Sequence, residues 1–136
     1  MDKKINLLVI DDDEINTFIV EKMAIRTTHP VHVQCYNRGQ KILDNLHAES
    51  KHIDVVLMDI NMPQVNGWTL LNAFDGLKNV FTKNTHIYMV SATIYLADQE
   101  KIKQYPSVKD ILLKPLSINK LQQIFDLFVQ QKRLGS

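Results

Sequence analysis

The sequence has little of what would mark several classes of protein. It contains one cysteine, Cys35, so no disulfide can form within the chain, and we expect a reducing, cytoplasmic location. Sixteen basic and fifteen acidic residues give a net charge of +1, which offers no general attraction for nucleic acid or for an anionic membrane. No apolar run is long enough to predict a signal peptide or a membrane span. We therefore expect no direct binding to nucleic acid and no membrane partner.

The size of the chain suits one domain with a sizeable core. Its 136 residues are 45% hydrophobic and 23% charged, which leaves no room for a second domain of ordinary size. The sequence shows no internal repeat, low-complexity tract or linker. We predict that residues 1–136 form a single domain.

Five apolar segments alternate with five amphipathic segments. Strands are predicted over about 5–10, 31–36, 53–58, 86–90 and 110–113. The helix after each strand is marked, in turn, by Ile15, Phe18, Ile19 and Met23; by Ile42, Leu43 and Leu46; by Leu70, Leu71 and Phe74; by Ala97 and Ile102; and by Leu121, Ile124, Phe125 and Phe128. We expect these side chains to lie in the core. Such alternation predicts an α/β fold in which helices cover both faces of a parallel sheet.

Polar residues follow four of the five predicted strands. The first strand is followed by Asp11 and Asp12, the third by Asp59, the fourth by Ser91 and the fifth by Lys114. Because the carboxyl ends of parallel strands meet at one edge of a sheet, we expect these side chains to lie close together. The alternative is that each is only a turn or capping residue, a role that Asp and Ser often have.

The residue types at this edge favour phosphoryl transfer. Neighbouring carboxylates repel one another and raise their own pKa values unless a cation shares the site, and hard oxygen ligands suit Mg²⁺. Lys114 adds a positive charge and Ser91 adds a hydroxyl group. Together they can hold the oxygens of a phosphoryl group.

With these motifs the chain resembles the receiver domain of bacterial two-component response regulators, the CheY-like family, over residues 5–129. The motifs that carry the resemblance are Asp11-Asp12, Asp59 followed by Asn61, Pro63 and Gly67, Ser91-Ala92, and Lys114-Pro115. The resemblance implies a flavodoxin-like, doubly wound sheet of five parallel strands in the order 2-1-3-4-5, with five helices.

The resemblance also implies a role for each residue. Asp59 would be the phosphoacceptor, Ser91 the switch hydroxyl and Lys114 the cation that binds the phosphoryl group. The implied Mg²⁺ ligands are Asp12, Asp59 and the backbone carbonyl of Asn61, with Asp11 acting through water. The phosphoryl group would come from a histidine kinase or a histidine phosphotransfer protein and would be hydrolysed slowly. A downstream protein partner would read the change of state.

Two details concern the fifth strand. The resemblance implies a cis peptide bond between Lys114 and Pro115. For a bond to proline, the cis form is only slightly higher in free energy than the trans form. Ile111 stands where the family often has an aromatic residue, three positions before the lysine, and a β-branched side chain is stiff about χ1. We therefore expect the switch to travel through residues 92–97 and the fourth predicted helix, toward the face formed by that helix, the fifth strand and the fifth helix.

Two alternative functions remain at this point. A Mg²⁺-dependent phosphohydrolase can also use an aspartyl nucleophile on an α/β sheet, but the chain has a Lys-Pro strand end, and we expect no cap domain. An inert interaction module could keep the fold alone, although every expected site residue is present. A phosphorylation assay would separate these three functions.

Overall fold

The computed structural model describes residues 4–37, 52–63, 65–74, 81–82 and 84–135. The elements in chain order are β1 Ile5–Ile10, α1 Glu14–Ala24, β2 Val31–Tyr36, β3 Val55–Asp59, α2 Gly67–Phe74, β4 His86–Ser91, α3 Leu96–Lys101, β5 Val108–Leu113 and α4 Ile118–Gly135. A 3₁₀ turn, Ile102–Gln104, continues α3. The helix predicted from Ile42, Leu43 and Leu46 lies outside the described residues. Among the helices described, none combines the length and apolar character needed to cross a membrane.

The five strands form one parallel sheet in the order β2-β1-β3-β4-β5. This order confirms the predicted flavodoxin-like topology. In β3 every residue is buried, as expected of a central strand that is apolar almost throughout. Because β1 and β3 are neighbours, the residues that follow them emerge side by side at the carboxyl edge of the sheet.

Alternate residues of the strands pack into two separate cores, one on each face of the sheet. Leu7 and Val9 belong to the core that α1 and α4 cover, and Leu8 and Ile10 belong to the core that α2 covers. The α4 residues in the first core are Leu121, Ile124, Phe125 and Phe128, as predicted. Helices on both faces confirm the doubly wound arrangement.

Helix α1 buries a different face from the predicted one. The side chains of its large apolar residues are exposed by 73%, 58% and 48% in Ile15, Phe18 and Ile19 respectively. The residues that face the sheet are Thr17, Val20 and Ala24. The prediction was therefore wrong for these three apolar residues. The spacing of apolar residues shows only where they recur along the helix. Burial of the smaller side chains of Thr17, Val20 and Ala24 instead allows the helix to lie closer to the sheet.

Candidate functional site

The carboxylates of Asp11, Asp12 and Asp59 meet at the carboxyl edge of the sheet. Each offers an oxygen, and the three oxygens lie within 4.8 Å of one another. Asp11 and Asp59 are buried, whereas Asp12 is exposed. Hard oxygen donors grouped in this way, one of them open to solvent, fit a divalent cation such as Mg²⁺ that keeps some of its waters.

Lys114 lies against two of these carboxylates. Its Nζ is 2.9 Å from Asp11 Oδ2 and 3.3 Å from Asp59 Oδ2. Its backbone N–H donates a 2.9 Å hydrogen bond to the carbonyl of Ser91, which ties the end of β5 to the end of β4. The peptide bond between Lys114 and Pro115 is cis, as predicted.

The charge states of Lys114 and Asp59 follow from this packing. Burial by itself would lower the pKa of Lys114, but the hydrogen bond to Asp11 and the charges of Asp11 and Asp59 raise it above its ordinary value. Burial, and then the charge of Asp11, raise the pKa of Asp59 to about 6, against the lowering effects of Lys114 and of the backbone N–H of Asn61. At neutral pH Asp59 is therefore ionised but unfavourably placed, and a cation that approached it would relieve that repulsion.

Ser91 and Asn61 complete the set of predicted residues. Ser91 is fully buried, and its Oγ donates a 2.6 Å hydrogen bond to the carbonyl of Thr93 while it accepts one of 3.3 Å from the Thr93 N–H. Asn61 is exposed; its backbone N–H donates to Asp59 Oδ1 at 3.3 Å and its amide donates to Ser91 Oγ at 3.4 Å. Asn61 thus connects the carboxylate of Asp59 to the hydroxyl of Ser91.

Gly67 allows the segment after β3 to return close to the site. A Cβ at this position would lie 2.5 Å from the carbonyl oxygen of Asp59 and 3.0 Å from Cα of Ile60. The N–H of Gly67 also donates a 2.8 Å hydrogen bond to the carbonyl of Ile60. The requirement for glycine is therefore one of close backbone approach, and it holds α2 directly behind Asp59.

One site residue had not been singled out from the sequence. Asn16, in α1, donates a hydrogen bond of 2.6 Å from its amide to Asp11 Oδ2. The available signal was its place in the first turns of a helix whose N-cap, Asp13, comes directly after the acidic pair. From hydrophobic spacing, a polar residue such as Asn16 is assigned to the solvent-exposed face of the helix.

A second group of contacts, between helices, was also missed. The indole N–H of Trp68 in α2 donates to Asp98 Oδ1 in α3 at 3.2 Å, and its ring stacks on Tyr105 with the centroids 5.3 Å apart. None of the six residues of α3, all of which are described, is buried, so the prediction that Ala97 lies in the core was wrong. These contacts therefore hold a helix that has little packing of its own.

The chain matches known proteins along most of its length. The family model described as the response regulator receiver domain matches residues 7–126. The two-component response regulator ARR2 of Arabidopsis thaliana is 30% identical over 95% of this chain and 18% of its own length. The transcriptional regulatory protein CitT of Halalkalibacterium halodurans is 31% identical over 98% of this chain and 56% of its own length.

The same similarity holds in three dimensions. A crystal structure of a two-component response regulator from Cytophaga hutchinsonii has a TM-score of 0.78 and 27% identity, and the match covers 94% of this chain and 99% of that one. The chain spans 18% of the length of the first curated relatives it matches, ARR2 and the sensory/regulatory protein RpfC of Xanthomonas campestris. ARR2 and RpfC are thus much longer proteins that contain a region similar to this chain.

Proposed function

Because this chain belongs to the response regulator receiver domain family, we propose that it accepts a phosphoryl group on Asp59 and thereby changes how it binds other proteins. Receiver domains are signalling domains in which an aspartate takes the phosphoryl group, and response regulator relatives imply a histidine kinase as the partner. We propose the same chemistry for residues 1–136 as a single receiver domain in the cytoplasm.

The observation that carries the proposal is the position of Asp59. Its buried carboxylate ends a central strand, with the ammonium of Lys114 3.3 Å away. In the proposed step an oxygen of Asp59 bonds to the phosphorus of a phosphohistidine as the phosphorus–nitrogen bond breaks, and the imidazole leaves. Lys114 would transfer its contacts to the oxygens of the phosphoryl group.

We propose that Asp11, Asp12 and Asp59 hold Mg²⁺, with the backbone carbonyl of Asn61 as a further ligand. Among the described residues, Lys114 supplies the one ammonium in contact with this cluster of three carboxylates, so the cluster has an excess of negative charge that a divalent cation would balance. When bound, Mg²⁺ would neutralise part of the charge on these carboxylates and on the phosphoryl oxygens.

The exposed face of α1 suits the phosphodonor. A phosphohistidine must come within bonding distance of Asp59, so the protein that carries it must cover the surface around the site. Helix α1 begins three residues after Asp11, and its apolar side chains Ile15, Phe18 and Ile19 are exposed there. We propose that the histidine kinase or histidine phosphotransfer protein packs on this face.

We propose that the signal leaves through Ser91. On phosphorylation its hydroxyl would turn from the carbonyl of Thr93 toward the phosphoryl group, which frees the turn that leads into α3. Ile111 is buried in the sheet and has no ring to rotate, so the shift should pass to α3, whose own residues are not buried. The surface of α3, β5 and α4 would then meet the downstream partner.

Phosphorylation with a small donor tests the proposal. The protein is incubated with acetyl phosphate and Mg²⁺, and the mass of the intact protein and of its peptides is followed over time. We expect one phosphoryl group on Asp59, lost slowly by hydrolysis, and no labelling of Asp59→Asn. Asp126→Asn, which changes an exposed aspartate of α4, is the matched control and should be labelled normally.

The outcomes separate the alternative functions. Labelling of Asp59→Asn at the normal rate would reject Asp59 as the acceptor. Sustained release of phosphate over many turnovers would identify a phosphohydrolase, and no aspartyl phosphate in the wild type would identify an inert module. Hydrogen exchange with beryllium trifluoride, a phosphoryl mimic, tests the route: a change confined to other elements, with residues 92–104 unaffected, would reject it.

A further inference from the structure

Three donors hold the buried carboxylate of Asp11. Its Oδ1 accepts a 2.9 Å hydrogen bond from the backbone N–H of Asp13. Its Oδ2 is 2.9 Å from Lys114 Nζ and accepts a 2.6 Å hydrogen bond from the amide of Asn16. Asp13 belongs to the turn that caps α1, and Lys114 also contacts Asp59. The contact from Asn16 comes from a side chain that has no role in the proposed reaction.

Asn16 lies beside the site and is not simply a surface polar residue. It is half-buried, and together with Asp11 and Asp59 it lines a cavity of about 10 Å³. The remaining walls of the cavity are apolar and consist of Val9, Ile10, Val20, Leu57, Val90 and Leu116. An amide beside such surface requires a hydrogen-bond partner, and Asp11 supplies it.

We infer that Asn16 is a positioning residue of the phosphoryl-transfer site, because its amide fixes the carboxylate of Asp11 and keeps it fixed when Lys114 turns to a phosphoryl group. This inference rests on the proposed function. The ammonium of Lys114 has three hydrogens to share among Asp11, Asp59 and the incoming oxygens. A neutral amide holds Asp11 without offsetting its negative charge, so the carboxylate keeps its attraction for a cation.

Mg²⁺ binding to the unphosphorylated protein tests the inference without any reaction. Isothermal titration with Mg²⁺ alone would compare the wild type with Asn16→Leu, which keeps the size of the side chain but has no donor, and with Asn16→Gln, which keeps the amide on a longer side chain. Asn119→Leu makes the same chemical change on the exposed surface of α4 and is the matched control.

We expect Asn16→Leu to raise the dissociation constant for Mg²⁺ on the order of 10-fold, the effect typical of lost partners of metal ligands. The dissociation constant of Asn16→Gln should be within a few-fold of the wild-type value, and that of Asn119→Leu should equal the wild-type value. A side chain that merely filled space would give the opposite order, because leucine has the right volume and glutamine does not. Wild-type affinity in Asn16→Leu, or weaker binding in Asn16→Gln than in Asn16→Leu, would overturn the inference.

Two controls distinguish an effect of Asn16 on Mg²⁺ binding from a folding defect and from a failure of the proposed function. Circular dichroism establishes that each variant is folded, and Asn16→Ala replaces Asn16→Leu if leucine prevents folding. If the wild type binds Mg²⁺ and is labelled on Asp59 while the Asn16 variants behave identically, only the inference on Asn16 fails. A wild type that binds Mg²⁺ but is not labelled contradicts the proposed function alone, and one that binds no Mg²⁺ contradicts both.

Discussion

Replacement of Asp59 by asparagine should stabilise the metal-free protein at neutral pH. Burial, followed by the charge of Asp11, raises the pKa of Asp59 from 3.8 to about 6. A shift of this size corresponds to about 3 kcal/mol by which folding disfavours the ionised form. The asparagine carries no charge and avoids this penalty, which already includes the attraction of Lys114, but its amide is itself a buried polar group. We therefore expect the free energy of unfolding to rise by about 1 to 2 kcal/mol in the variant.

The gain should depend on pH with a definite sign. Because the pKa of Asp59 is higher in the folded than in the unfolded protein, the folded protein binds more protons between about pH 4 and pH 6. The wild type therefore loses stability as the pH rises through this window, whereas an asparagine at this position does not titrate. The advantage of the variant should be small near pH 4 and fully present above about pH 7.

Urea unfolding followed by circular dichroism, with a chelator present, measures this difference. The two proteins are compared at about pH 4.5 and about pH 7.5, so that groups common to both cancel. Asp126→Asn is the control, because the pKa of Asp126 is lowered, chiefly by its hydrogen bond to His29, and its replacement should give no gain. A variant no more stable than the wild type at neutral pH, or equally more stable at both values, would refute the reasoning.

Three further changes test the site and the elements around it. Asp12→Ala should weaken Mg²⁺ binding and phosphorylation by acetyl phosphate together, since a ligand is lost; unchanged affinity in calorimetry would remove Asp12 from the site. Gly67→Ala should lower the free energy of unfolding by about 1 to 3 kcal/mol, because the added Cβ would lie 2.5 Å from the carbonyl oxygen of Asp59. If urea unfolding gave the Gly67→Ala variant the same free energy of unfolding as the wild type, α2 could move away from Asp59 without loss of stability. Asp98→Leu should change the fluorescence of Trp68 and speed hydrogen exchange in α3, because the indole N–H loses its acceptor. Unaltered exchange would show that α3 is held by other contacts.

Asp11, Asp59, Ser91 and Lys114 were predicted as site residues because they end a strand or come directly after one, and the reason is geometric. In a parallel sheet all carboxyl ends lie at one edge, so a polar residue after a central strand can be located from sequence pattern alone. Asp11, Asp59 and Lys114 are far apart in the chain, yet ion pairs of 2.9 and 3.3 Å join them. The isomer of the Lys114–Pro115 bond was predicted correctly as well, through the family resemblance.

Helix α1 shows where a sequence pattern stops being informative. The start of this helix depends on local chemistry, because the carboxylate of its N-cap, Asp13, accepts from backbone N–H groups of the first turn. The face it buries does not, because Phe18 and Val20 are both apolar and only the fit against the sheet selects between them.

The sequence by itself therefore determined the order of elements and the strand ends that carry carboxylate, hydroxyl and ammonium groups. These depend on hydrophobic periodicity and on residues that are neighbours along the chain. The tertiary structure alone decided that Asn16 holds Asp11, that Trp68 joins α2 to α3, and that the pKa of Asp59 is raised to about 6. Each of these depends on distances between separate elements and on how much water the packing removes, and neither quantity can be obtained from residue spacing.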